Sequence, residues 1–149
     1  MAKIACIGAG LVGRAWAVVF ARAGHEVALY DRDQDALKAT ALPTIARVLD
    51  GLDAAGMLSE PPATIAARIR TCGTIAEAVE GVVHVQESVR EDVEIKRTVF
   101  SEIATHAPRT ARLCSSTSAL KGSEFLTHIE APERAMVAHP VNPPSHIPL

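Results

Sequence analysis

Residues 8–13 read Gly8-Ala9-Gly10-Leu11-Val12-Gly13, three glycines in the spacing G-x-G-x-x-G. Such a turn is suited to cradling phosphate. The first glycine permits a tight strand-to-helix turn, the second removes a Cβ where a pyrophosphate must approach the backbone, and the third lets the helix pack close to the strand. Leu11 and Val12 stand where the helix begins, and a helix N-terminus offers free N–H groups and a partial positive charge to an anion. Asp31 closes the next apolar run. A carboxylate there can accept both hydroxyls of an adenosine ribose and would repel a 2′-phosphate, which favours NAD over NADP. Arg32, beside it, is the one feature that would welcome that phosphate. Gly8, Gly10, Leu11, Val12, Gly13 and Asp31 are therefore read as cofactor-binding. The competing reading, a glycine turn beside an unrelated surface aspartate, must explain why motif, context and acid coincide.

The turn means this only if a strand precedes it and a helix follows, and the periodicity supplies both. Lys3 to Gly8 is an apolar run ending in glycine, read as a strand. Leu11 to Ala23 has helical spacing, and Glu26 to Asp31 is a second strand. A helical stretch from about Asp33 to Met57 carries Leu37, Ala41, Ile45, Val48 and Leu52 on one face, with Pro43 inside it predicting a kink or break. Pro61 and Pro62 punctuate. A weak strand (Arg68 to Cys72), a short helix (Ile75 to Val79) and a strand (Val82 to Gln86) come next. Then follow a helix over Asp92 to Thr105, a strand over Ala111 to Ser115, a short helix around Gly122 to His128 and a last strand over Ala135 to Ala138. Alternating strands and helices predict an α/β fold, a Rossmann-type, doubly wound, mostly parallel sheet with helices on both faces. Pro140, Pro143, Pro144 and Pro148 then make the tail a loop or linker, since proline lacks the N–H donor.

The bulk numbers agree with one such domain over residues 1–149. Hydrophobic residues are 48% and aromatic residues only 3%, so Ala, Val, Ile and Leu must build the core. A net charge of -2 without a basic stripe argues against nucleic acid or anionic lipid as partner. Cys6, Cys72 and Cys114 fit no metal or redox spacing and are read as buried thiols, with no metal site expected. Nothing approaches the ~20 apolar residues of a membrane span, and no signal peptide precedes Lys3. A reducing, cytoplasmic setting is expected.

Four stretches go beyond a generic dinucleotide fold: Gly13-Arg14-Ala15-Trp16-Ala17, Glu77 to Asp92 (EAVEGVVHVQESVRED), Ser115 to Leu120 (SSTSAL) and Ala138 to Leu149 (AHPVNPPSHIPL). Through them the chain resembles the 3-hydroxyacyl-CoA dehydrogenase superfamily along its whole length. More narrowly, it is similar to the branch containing L-gulonate 3-dehydrogenase, also called lambda-crystallin. The resemblance implies roles at particular positions. His139 matches the catalytic histidine within H-x-x-N, and Asn142 the asparagine that helps hold the substrate oxygen. Ser118 matches a serine contacting substrate and nicotinamide ribose, and Glu87 a glutamate beside the nicotinamide. Ser116 stands where the acyl-CoA enzymes usually carry Asn and agrees with the gulonate branch.

The chemistry suits those roles. Oxidising a secondary alcohol needs a base for the hydroxyl proton while hydride leaves to the nicotinamide, and histidine titrates near neutral pH. Asn142 and Ser118 can donate hydrogen bonds to the developing carbonyl oxygen. From the residues alone, alternatives stay open. His139 before a proline-rich loop could satisfy local backbone, Glu87 could be a polar strand end, and Ser118 could be a helix N-cap. His84 reads as a strand-face residue, His25 as the end of the first helix, His106 and His128 as surface residues, and Trp16 as helix packing. His146 near the tail is left unassigned.

The resemblance also implies a substrate that is a small polyol acid such as L-gulonate, or an acyl-CoA thioester. The stretch from Asp33 to Met57, where acyl-CoA enzymes place contacts to CoA, offers only Lys38 and Arg47 as cations, which favours the small acid. It further implies a glutamate, two residues past Leu149, that orients the histidine, and a helical domain that closes the site and forms a homodimer. The 149 residues are thus expected to bind NAD and to turn over poorly alone. A non-catalytic nucleotide-binding fragment or a crystallin-like structural protein is the rival reading.

Overall fold

The computed structural model describes residues 1–142, 144 and 145. Six strands, β1 (Lys3–Ile7), β2 (Glu26–Tyr30), β3 (Ile69–Cys72), β4 (His84–Glu87), β5 (Arg112–Ser115) and β6 (Ala135–Val137), form one sheet in the order β3-β2-β1-β4-β5-β6. Every pairing is parallel, with Ile7 level with both Tyr30 and Glu87, and Glu87 level with Ser115. The order reverses between β1 and β4, and a doubly wound sheet opens its ligand crevice at that switch point, outside the carboxyl ends of the strands.

The helices are α1 (Leu11–Arg22), α2 (Gln34–Ala36), α3 (Leu42–Ala54), α4 (Pro62–Ala66), α5 (Ile75–Ala78) and α6 (Val93–His106). They cover both faces, and the two-residue period of the strands divides the core between them. Ala5 and Ile7 of β1 and Ala28 of β2 pack with Phe100 and Ile103 of α6 on one side. Cys6 of β1 and Val27 and Leu29 of β2 pack with Ala17 of α1 and Leu49 of α3 on the other. A sheet buried on both faces needs near-continuous apolar strands, which is what the runs at β1 and β2 supply. All three cysteines are buried and free, and burial pushes each thiol above its ordinary range.

The expected break at Pro43 takes the form of a π-helical turn, Leu37–Ala41, joining α2 to α3. Leu42 N–H bonds to the Leu37 carbonyl, one residue further back than in an α-helix. Widening the turn just before Pro43, which brings no N–H of its own, lets the chain remain helical from Gln34 to Ala54. Two expectations need correction. Pro62 starts a short helix rather than only punctuating, because proline at the first helical position lacks an N–H that would be unpaired anyway. The helix expected over Gly122 to His128 is a single 3-10 turn, Gly122–Glu124. Pro143, His146 and Pro148, with the rest of the tail from 146 to 149, lie outside the described residues. Among the described residues no helix is long and apolar enough to cross a membrane, and no cluster of His, Cys, Asp and Glu could hold a metal ion.

Candidate active site

The glycine turn sits between β1 and α1. Gly8 adopts φ 98°, a left-handed conformation that disfavours any side chain. A Cβ there would lie 2.6 Å from the Ser88 carbonyl oxygen, and one on Gly13 would lie 1.8 Å from the Gly8 carbonyl oxygen. Both glycines are thus demanded by packing. Gly10 is different, since a Cβ built on it meets nothing within 4 Å. The bare space over Gly10 lies at the N-terminus of the 12-residue helix α1, where no side chain caps the turn. Asp31 is fixed against this turn. Its Oδ2 accepts from the Ala9 N–H at 2.7 Å and its Oδ1 from the Asp33 N–H at 3.0 Å. A cleft of about 560 Å³ runs from the turn over Asp31 and Arg32, walled by Ile75, Val89, Ile95 and Val99. Open backbone at a helix N-terminus, a carboxylate lining the cleft and an apolar slot together fit a dinucleotide.

A second cavity, of about 190 Å³, adjoins it, and Ser88 and Val89 line both. It brings together His139, Asn142 and Ser118, which the sequence places in two separate stretches, with Val12, Glu91, Lys96 and Ser116. Apart from Val12 on α1 and Lys96 on α6, its residues come from the segments that follow β4, β5 and β6 at the carboxyl edge of the sheet, and His139 stands two residues beyond β6, exposed.

Glu87 does not join them. Its side chain is 0% exposed, and its carboxylate accepts from Lys96 Nζ at 2.8 and 3.0 Å, from the Val89 N–H at 2.6 Å and from the Ser115 hydroxyl. Those partners occupy both oxygens beneath the cavity floor, so Glu87 anchors the floor and does not face a ligand. The carboxylate that lines the cavity is Glu91, on the loop between β4 and α6. It accepts from the Thr117 hydroxyl, from the Ser118 N–H at 3.0 Å and from the Ala119 N–H at 3.1 Å, with Lys96 Nζ at 3.6 Å. Partial burial alone would raise its pKa. The bonds from Thr117, Ala119 and Ser118 and the Lys96 charge outweigh that and pull it down to about 2. No helix starts at Ser118, so it is not an N-cap; it is Thr117 whose hydroxyl accepts, from the Leu120 N–H.

The other histidines fall where the pattern suggested. His84 on β4 meets the Phe20 ring edge-on at 5.4 Å, and burial, partly countered by Gln86, lowers its pKa. His25 follows α1, His106 ends α6, and His128 bonds the Ser101 hydroxyl at 3.0 Å on the surface. Trp16 does pack, stacked on Phe20 at 5.2 Å, but its Nε1–H also donates to Ser116 Oγ at 3.1 Å. Glu91, Lys96, Ser88 and Gln86 escaped the sequence reading. The only signal for Lys96 was a cation beside Ile95 on a helix whose Ile95, Val99 and Ile103 share one apolar stripe, which looks like an ordinary solvated face.

Comparison with known proteins points one way. A family model described as 3-hydroxyacyl-CoA dehydrogenase, NAD binding domain, matches residues 3–149. A lambda-crystallin homolog of Rattus norvegicus is 38% identical over 151 residues, covering 98% of this chain and 46% of the relative. An L-carnitine dehydrogenase/betainyl-CoA thioesterase of Rhizobium meliloti (strain 1021) is 41% identical over 148 residues, covering 99% of this chain and 29% of the relative. The crystal structure of 3-hydroxybutyryl-CoA dehydrogenase from Escherichia coli K12 superposes with a TM-score of 0.89 at 28% identity, over 98% of this chain and 30% of that one. The chain thus spans less than half the length of these curated relatives.

Proposed function

From the premise that this chain belongs to the 3-hydroxyacyl-CoA dehydrogenase family and carries its NAD-binding domain, we propose that it is the cofactor-holding part of an NAD-dependent oxidoreductase. The reaction removes hydride from the 3-hydroxyl of an L-3-hydroxy acid or L-3-hydroxyacyl-CoA, with a small acid of the L-gulonate type favoured. The observation that carries this reading is the shared wall. The cavity holding His139, Asn142 and Ser118 adjoins the dinucleotide cleft, with Ser88 and Val89 lining both.

NAD, when bound, supplies the hydride acceptor. His139, exposed at the end of β6, takes the hydroxyl proton. Asn142 and Ser118 donate to the oxygen as it becomes a carbonyl. Glu91 replaces Glu87 as the carboxylate on the nicotinamide side, held ionised by three hydrogen-bond donors and the nearby Lys96 ammonium. Gly8, Gly10, Gly13 and Asp31 hold the dinucleotide, with Leu11 and Val12 at the start of α1.

The small acid is favoured because the α2–α3 segment offers only Lys38 and Arg47 to CoA phosphates, and a relative named for L-carnitine acts on a small 3-hydroxy acid. A second reading, a nucleotide-binding module without turnover, draws on the relatives named as crystallins. NADH formation with L-gulonate, L-carnitine and L-3-hydroxybutyryl-CoA, each with NAD, decides between them. It should be measured for the 149-residue chain and for any longer form that carries it. We expect the short chain to bind NAD with little turnover. In the longer form a small acid should show a kcat/KM at least about tenfold above the thioester, equivalent to about 1.4 kcal/mol. The reverse preference overturns the small-acid assignment, and no turnover in any form leaves the binding module.

A further inference from the structure

Beneath the junction of the two cavities lies a hydrogen-bond network whose proton directions can be assigned from the chemistry of its ends. Gln86 is 1% exposed. One nitrogen, Nε2, lies 3.2 Å from the Ala138 carbonyl oxygen and 2.8 Å from Ser116 Oγ. A carbonyl can only accept, so the NH2 of Gln86 faces Ala138, and its second hydrogen goes to Ser116. The amide oxygen then faces His84 Nε2 at 3.2 Å, which requires the proton of His84 to sit on Nε2. Trp16 Nε1–H, which can only donate, is the second donor to Ser116 Oγ, at 3.1 Å.

Two N–H donors fill both lone pairs of the Ser116 hydroxyl. Its single proton must therefore be donated onward, and the neighbour in reach is Ser88 Oγ at 2.9 Å. Ser88 is thereby cast as acceptor, which leaves its own hydroxyl hydrogen without an acceptor among the described residues. Ser88 stands beside the glycine turn, since a Cβ on Gly13 would approach its Cβ to 3.5 Å. It also lines both cavities. A donor chain of this kind polarises its terminal hydroxyl.

We propose that Ser88 is a cofactor-binding residue, its hydroxyl hydrogen aimed by the Trp16–Gln86–Ser116 network at an accepting oxygen on the nicotinamide side of the bound dinucleotide's pyrophosphate. The placement rests on the reading above, in which the dinucleotide runs from Asp31 toward His139. Trp16 and Gln86 act as positioning residues, reaching the ligand only through Ser116 and Ser88. The arrangement gives the side chain of Trp16 a second task besides packing and ties the serine at 116 to cofactor recognition.

The test is calorimetric titration of the 149-residue chain with NADH and with AMP. Ser88→Ala should weaken NADH about fivefold, equivalent to about 1 kcal/mol, while AMP binds as before and the melting temperature holds. Ser116→Ala, with Ser88 intact, should weaken NADH in the same direction and shift the Trp16 indole N–H resonance. NADH affinity within twofold of wild type in Ser88→Ala overturns the proposal while leaving the dinucleotide site standing. A wild-type chain that binds NADH no better than AMP overturns the orientation in the cleft, and this proposal with it.

Discussion

The two halves of the crevice are made of different material. The adenosine half, from β1 through the glycine turn to Asp31, is made mainly of backbone, with two glycines demanded by sterics and one left open. Its residues lie within 24 positions of one another, Gly8 to Asp31. The other half, from Glu87 to His139, is made of side chains. A buried Lys96–Glu87 pair forms its floor, Glu91 staples the loop after β5, and a serine–glutamine–tryptophan network ties α1 and β4 to the loop after β5. A backbone site is robust because only insertion of a Cβ can spoil it. A side-chain site can be tuned, but every group depends on a partner that keeps it from being buried and unpaired.

That contrast can be broken most severely from below. Lys96→Met should cost about 3–5 kcal/mol of stability, because it leaves the Glu87 carboxylate buried without its cation. Replacing both partners, Lys96→Met with Glu87→Gln, should recover most of it. Denaturant melts of the three chains measure this, and a loss below about 1 kcal/mol in the single variant would show that the floor is not held by the pair.

Asp31→Ala should strike the ligand directly. The two ribose bonds would be charge-assisted, each about 1.5–3 kcal/mol, so NADH affinity should fall by at least about tenfold, on top of the melting-temperature loss from removing the acceptor of the Ala9 and Asp33 N–H groups. The preference for NADH over NADPH should also narrow, since Arg32 remains. Unchanged NADH titration would assign the glycine turn to another ligand.

The smallest effect belongs to Glu91. Its carboxyl is held near 2, below its ordinary value of 4.5. Its stabilising contribution is therefore complete above about 4.5 and is lost as the pH falls through about 2. Glu91→Gln should flatten the loss of stability across that window, read as melting temperature against pH in wild type and variant. Parallel curves would mean that the staple between the loops carries no stability.

Much of the architecture was legible in the residues. The G-x-G-x-x-G spacing, the apolar runs of β1 and β2 and the Ile95, Val99 and Ile103 stripe on α6 all declare themselves within short windows, because turn sterics and side-chain periodicity act locally. The termini of most elements shifted by up to three residues, and α4 was hidden because two adjacent prolines read as a break. His139, Asn142 and Ser118 were singled out through the tail and serine motifs, and one cavity gathers them.

What stayed hidden is whatever depends on partners far apart in the chain. Glu87 and Glu91 are both carboxylates near a strand end, and nothing in their spacing says which one Lys96 draws into the floor and which one faces the crevice. Trp16 reads as packing until Ser116, 100 positions away, is placed against its indole nitrogen. By itself the sequence determined a dinucleotide-binding sheet with its glycine turn, since sterics and periodicity need only near neighbours. The tertiary structure decided which polar groups are buried together, and burial in a low-dielectric interior makes the identity of a partner decide what each group can do.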